Sequence, residues 1–206
     1  MSFYSRYILP AMIDCACGTK PIRYQRRKIV PRAAGIVLEL GFGSGLNLPF
    51  YDAAKVTRIF ALEPEAGMLA RARKQARSAN IQIDIIPEKA EEISLPSASV
   101  DTVLVTYSLC TIPDAAAALR GARRVLKPGG RLLFCEHGRA PDAKVLAMQM
   151  RVEPVWKAIS GGCHLTRDIP ALIEAGGFAI EGVETMYLPS TPRFAGFNYW
   201  GAAKPV

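Results

Sequence analysis

The chain has 206 residues, half of them apolar and 21% charged, a balance that suits one globular domain with a sizeable core and excludes a disordered or fibrous chain. No apolar run reaches the ~18 residues of a membrane-spanning helix, and Arg6, Pro10 and Asp14 interrupt the apolar N-terminus, a poor secretion signal, so a cytoplasmic protein is expected. The net charge of +8 is lopsided: residues 1–34 set seven basic side chains against Asp14 alone and carry +6 of it.

Residues 1–34 are therefore read as a basic helical segment. It can act as a lid over the domain formed by 35–206, present a solvated face, or touch an anionic membrane surface peripherally. Ile36–Leu40 is the first strand, with Glu39 inside it, and it runs into glycines at 41, 43 and 45. Without Cβ atoms, such a loop lets the backbone approach a ligand closely. A helix is expected to follow from Leu46 and to aim its free N–H groups at that ligand. Leu46 stands where a G-x-G-x-x-G dinucleotide fingerprint needs its third glycine, so an NAD-type site fits poorly.

Further strands are predicted at Ile59–Glu63, Ile83–Ile86, Thr102–Thr106 and Arg131–Glu136, short and rich in Val, Ile, Leu or Phe as strands buried on both faces are. Helices fall between them at Glu65–Ala79 and Ala115–Leu126, the latter capped by Asp114 and stopped by Pro128-Gly129-Gly130. A helix over Ala143–Ile159 and a shorter one capped by Thr166 and running to Ala175 come next. Strands at Ile180–Tyr187 and Phe197–Ala203 close the chain. The pattern is α/β: a Rossmann-like, doubly wound sheet of seven strands, mostly parallel, with the last strand antiparallel. Met148, Met150, Val152, Val155, Trp156 and Ile159 read mainly as a core-facing stripe. The five cysteines lack C-x-x-C spacing, so neither a zinc pattern nor a disulfide framework is predicted.

Glu63, ending the second strand 18 residues past Gly45, is placed to accept from both hydroxyls of a ribose, or to cap the next helix. Glu91, just past the third strand, is a candidate for an adenine edge or a surface cap. No Asn/Asp-Pro-Pro-aromatic tetrad follows the fourth strand, which counts against nucleobase methylation and makes nucleic acid an unexpected partner.

E-x-G-x-G-x-G over 39–45, the acidic end of the second strand, Glu88–Ile93, the fourth strand with Tyr107-Ser108-Leu109-Cys110, and Leu126-Lys127-Pro128-Gly129-Gly130 together resemble the class I S-adenosylmethionine (SAM)-dependent methyltransferases. Cys135-Glu136-His137, Glu153–Lys157 and Gly162–Arg167 are similar to the methyltransferase-like 7 (alkyl thiol methyltransferase) group and its bacterial relatives. The resemblance implies SAM as cofactor and S-adenosylhomocysteine as product. It implies a cofactor site drawn from Glu39, Gly41, Gly43, Gly45, Asn47, Glu63, Pro64, Met68, Ala90, Glu91, Tyr107 and Leu109. Two features depart from that group: Glu63 replaces an Asp, and a basic segment stands where those enzymes have a hydrophobic anchor.

The acceptor expected is a small, lipophilic molecule, a thiol first, with an amine or a phospholipid head group as alternatives. A non-catalytic SAM-binding module at a membrane surface is a third reading. Candidates for a base are His137, Tyr107, His164 and Glu136, each histidine being equally readable as a side chain bonded to backbone. No metal ligand set is predicted.

Overall fold

The computed structural model describes residues 8–206; Arg6, counted in the basic segment, lies outside them. Two helices, α1 (Leu9–Cys17) and α2 (Lys20–Ile29), precede a single sheet. Its strands are β1 (Gly35–Leu40), β2 (Val56–Leu62), β3 (Gln82–Ile86), β4 (Val100–Thr106), β5 (Leu126–His137), β6 (Phe178–Tyr187) and β7 (Phe197–Pro205), in the order β3-β2-β1-β4-β5-β7-β6. The pairings among β1 to β5 are parallel, whereas β7 runs antiparallel between β5 and β6. The final hairpin thus inserts its second strand and leaves β6 at the edge.

Alternation along the strands explains the two packed layers. Leu38, Leu40, Val103, Val105, Leu132 and Phe134 point to one face, against α4 (Ala115–Val125) and α6 (Ile169–Ala175). Val37, Leu104, Leu133 and Cys135 point to the other, where Ile29 of α2 and Ala72 of α3 (Ala66–Ala76) cover them. Both faces are buried, as parallel strands require.

Three local expectations are corrected. After the glycine loop no α-helix forms from Leu46: Pro49 and an inward-turned Asn47 permit only a 3₁₀ turn at Leu48–Phe50. The cap of α6 is Asp168, whose carboxylate accepts from the Ala171 N–H at 3.2 Å, whereas the Thr166 N–H is held by Glu153. In α5 (Ala143–Ile159) only Gln149 is buried; Met148, Met150, Val155 and Ile159 are 48–67% exposed, so that stripe is not core. The remaining helix, α7 (Arg193–Gly196), is a single turn before β7.

Sheet order reverses at β1 and β4, whose neighbours lead away in opposite directions. In open α/β sheets the crevice at the carboxyl ends of such strands is where ligands sit.

Candidate functional site

The crevice is floored by the loop leaving β1. Gly41 has φ +71° and lies so close to Ser108 that a Cβ would stand 2.3 Å from its Oγ. Gly43, at φ +60°, has nothing within 4 Å of an added Cβ, so the loop leaves open room there. Glu63, at the end of β2 and 5% exposed, accepts from the Gly43 N–H at 2.7 Å and from the Glu65 N–H at 2.9 Å. One carboxylate thereby ties the glycine loop to the start of α3, and burial pushes its pKa up. Its cap-like bond and a role toward a ribose coexist, since each oxygen retains acceptor capacity.

Behind the loop a buried polar network forms. Glu39 accepts from Asn47 Nδ2 at 2.8 Å and from the Tyr51 hydroxyl at 2.6 Å. Burial dominates over these bonds and lifts its carboxyl to about 7. Arg26, reaching in from α2, donates through Nη1 to Asn47 Oδ1 and to Thr106 Oγ1, both at 2.6 Å. Its guanidinium lies 5.2 Å from the Tyr107 ring centroid, and its buried Nε has no hydrogen-bond partner. A buried cation with a spare N–H, close to buried carboxylates, suits a ligand carrying both an ammonium and a carboxylate, as the amino-acid end of SAM does. The residues present therefore fit that cofactor.

Arg26, Thr106 and Tyr51 were not among the sequence candidates. Arg26 was one basic residue among many, yet it lies four residues after Ile22 and three before Ile29. That spacing puts it on the buried face of α2, which is the signal that could have singled it out.

Past β4 the chain turns sharply at Tyr107, which has φ +54°. The Tyr107 hydroxyl donates to Asn198 Oδ1 at 2.6 Å, and burial raises its pKa well above 10, conditions that keep it a neutral phenol. The Ser108 and Leu109 N–H groups donate to Glu136 Oε1 at 2.8 and 3.2 Å. Glu136 is fully buried, its Oε2 has no partner, and burial lifts its carboxyl to about 7.

His137 ends β5, with Nε2 3.1 Å from Cys163 Sγ. Burial opposes charging this imidazole, but the adjacent Cys163 outweighs it and its pKa rises. Hydrogen bonding with Cys110 and the charge of His137 hold the Cys163 thiol low against burial, whereas Cys110 is pushed up. The His164 ring lies apart from this pair: its Nδ1 is 3.2 Å from Glu153 Oε1, while the His164 backbone N–H donates to the Cys110 carbonyl at 2.9 Å.

The other cofactor candidates divide by setting. Met68, Ala90 and Leu109 are buried and Pro64 is exposed. Glu91 accepts from the Asp114 N–H at 3.2 Å, which ties the turn after β3 to the start of α4.

Helix α1 reaches the loop through Asp14, which accepts from the Ser44 hydroxyl and forms an ion pair with Arg71 of α3 at 3.3 Å. Beside these contacts lies a cavity of about 630 Å³ lined by Asp14, Ser44, Gly45, Leu48, Arg71 and Gln75. A larger one, about 790 Å³, opens around Lys127–Arg131 at the start of β5, the opposite end of the sheet, and holds none of the groups described above. Among the described residues no helix is long and apolar enough to cross a membrane.

A methyltransferase-domain family model matches residues 38–134. The chain is 34% identical over 167 residues to the thiol S-methyltransferase TMT1B of Rattus norvegicus, a match covering 78% of this chain and 68% of that protein. It is 31% identical over 169 residues to the Homo sapiens protein of the same name, with the same coverage. Among solved structures, a SAM-dependent methyltransferase of Thermotoga maritima, described as a possible histamine N-methyltransferase, aligns with a TM-score of 0.69. That match covers 98% of this chain and 97% of the other at 19% identity and speaks to the fold alone.

Proposed function

Because the chain belongs to the class I SAM-dependent methyltransferases, in one family with those thiol S-methyltransferases, we propose that its methyl acceptor is a small lipophilic thiol. The observation that carries the reading is the 34% identity over 167 residues, a match covering 78% of this chain. SAM, when bound, supplies an electrophilic methyl on a sulfonium, and transfer is a single in-line displacement that depends chiefly on alignment.

The chain's own groups have positioning and exclusion to perform. The open Gly43 position and Glu63 would receive the ribose side, and Arg26, Asn47 and Glu39 the amino-acid end. Tyr107, Leu109 and the buried Glu136 would form the wall nearest the methyl, with water kept out by α1 and α2 acting as a lid. A cysteine-like thiol, with a pKa of ~8.5, is a few per cent thiolate at neutral pH and is intrinsically nucleophilic, so it needs little basic assistance. An ammonium acceptor would need a base to remove its proton first. The neutral Tyr107 phenol is unsuited to that task.

Initial rates with labelled SAM test this directly. An alkyl thiol, the amine of equal chain length, and vesicles containing phosphatidylethanolamine would be compared at equal concentration. Methyl transfer to the thiol at least ~10-fold faster than to the others is expected. Preference for the amine or for the vesicles would replace the thiol with that acceptor. SAM binding without turnover on any of them would leave a non-catalytic module.

A further inference from the structure

Cys110, His137 and Cys163 are scattered along the chain, yet one ligand atom from each lies within 4.8 Å of the other two. They come from three separate segments: the turn after β4, the end of β5, and the loop after α5. Both cysteines are buried and His137 is partly so. None of the three is used by the cofactor site described above.

Each segment is fixed by bonds that do not involve the three ligand side chains. Glu136 Oε1 holds the Ser108 and Leu109 N–H groups next to Cys110. The His164 N–H, adjacent to Cys163, donates to the Cys110 carbonyl at 2.9 Å. Glu153 of α5 accepts from the Leu165 and Thr166 N–H groups at 2.9 and 2.8 Å. Arg167 donates to the carbonyls of Leu109 and Ile112, clasping the two loops together. The three side chains are therefore held together by the backbone around them, as a pre-organised ligand set is.

We propose that Cys110, His137 and Cys163 form a binding site for a divalent cation of the zinc class, with one coordination position left for an external donor. The donor set decides the class. Two sulfurs and an imidazole suit a borderline-soft ion and offer nothing to calcium or magnesium, which take oxygen ligands. Three protein ligands plus an open position is the arrangement of a reactive zinc site, whereas structural sites are closed by four. Tetrahedral zinc, with bonds of ~2.3 Å to sulfur and ~2.0 Å to nitrogen, sets its ligand atoms ~3.5–3.8 Å apart. His137 Nε2 and Cys163 Sγ, at 3.1 Å, need to part by only about half an ångström, a matter of side-chain rotation. Zinc takes both cysteines as thiolates and the imidazole as its neutral form, so binding releases to solvent whatever protons the three side chains hold.

The test uses the whole chain, reduced, stripped with a chelator and then titrated with Zn²⁺ alone. One zinc per chain is expected, with affinity falling on the order of 100-fold or more in Cys110→Ser and Cys163→Ser, while Cys15→Ser, at an exposed position, retains it. Cobalt substitution in the wild type reads the ligands without any variant: thiolate-to-cobalt charge transfer and tetrahedral absorption are expected. Retained SAM binding shows that each variant is folded. The proposal is overturned by reduced, SAM-binding wild type that takes up no zinc, by binding indifferent to both substitutions, or by a cobalt spectrum without sulfur ligation. A Cys110–Cys163 disulfide that forms in the presence of zinc also overturns it.

Discussion

Glu39→Gln should make the unliganded protein more stable at neutral pH, and the gain should depend on pH in a defined direction. Glu39 is 1% exposed, and burial outweighs its bonds from Tyr51 and Asn47, so its carboxyl titrates at about 7 where an ordinary one titrates at 4.5. Between those values the folded chain keeps a proton that the unfolded chain has released. Stability therefore falls as pH rises through this window and is flat above it. At ~1.4 kcal/mol per pH unit the full loss is about 3 kcal/mol. Glutamine is neutral throughout; its carbonyl can keep the Asn47 bond and its amide can donate to the Tyr51 oxygen. Urea-unfolding free energies of both proteins, from about pH 4.5 to about pH 8 without cofactor, measure the difference, and groups common to both cancel. The two should lie closest at the acid end, with the variant gaining about 3 kcal/mol by neutrality. A difference that does not change with pH would refute the reasoning, because Glu39 would then be ionising as a solvated carboxylate does. The same variant should bind SAM more weakly, which would separate the group's role toward a ligand from its cost to the empty fold.

Arg26→Met should destabilise the protein by about 1–3 kcal/mol in chemical unfolding, because Asn47 Oδ1 and Thr106 Oγ1 lose a charged donor. It should also move the Glu39 window to higher pH, since the Arg26 charge lowers that carboxyl; an unmoved window would separate the two groups. Glu63→Ala leaves the Gly43 and Glu65 N–H groups without their acceptor and should weaken SAM binding in calorimetry by at least ~10-fold. Affinity equal to wild type would remove Glu63 from the site. Phe134→Ala, at a fully buried position in the sheet, should cost ~3–5 kcal/mol in urea unfolding. A loss below ~1 kcal/mol would mean that the layer around it collapses to fill the space.

The strands were legible because each is a short apolar run buried on both faces, and the turn residues between them are strong breakers. Gly41, Gly43 and Glu63 were legible for the same local reason, lying at the ends of β1 and β2. What escaped depends on contacts between distant residues. By sequence Leu46 opens a helix, but Pro49 and the bonds of Asn47 to Glu39 and Thr106 decide that turn. The apolar residues of α5 have helical spacing, yet spacing does not say which face meets the sheet, and most of them face outward. The gathering of Cys110, His137 and Cys163 has no local trace either. Two cysteines 53 residues apart carry no spacing rule, and long-range bonds of Arg167, Glu153 and the His164 backbone bring them together.

The insertion of β7 between β5 and β6 has a consequence for biosynthesis. It is the last of the seven strands to be made, yet it occupies an interior position. Until Phe197 and the residues after it leave the ribosome, β5 lacks one neighbour and β6 has nothing to pair with. A nascent chain at that stage exposes unpaired strand edges, including the buried run Leu132–Cys135, which is a template for pairing with another copy. Chains stalled or truncated before β7 should therefore be the species that chaperones hold and proteases remove.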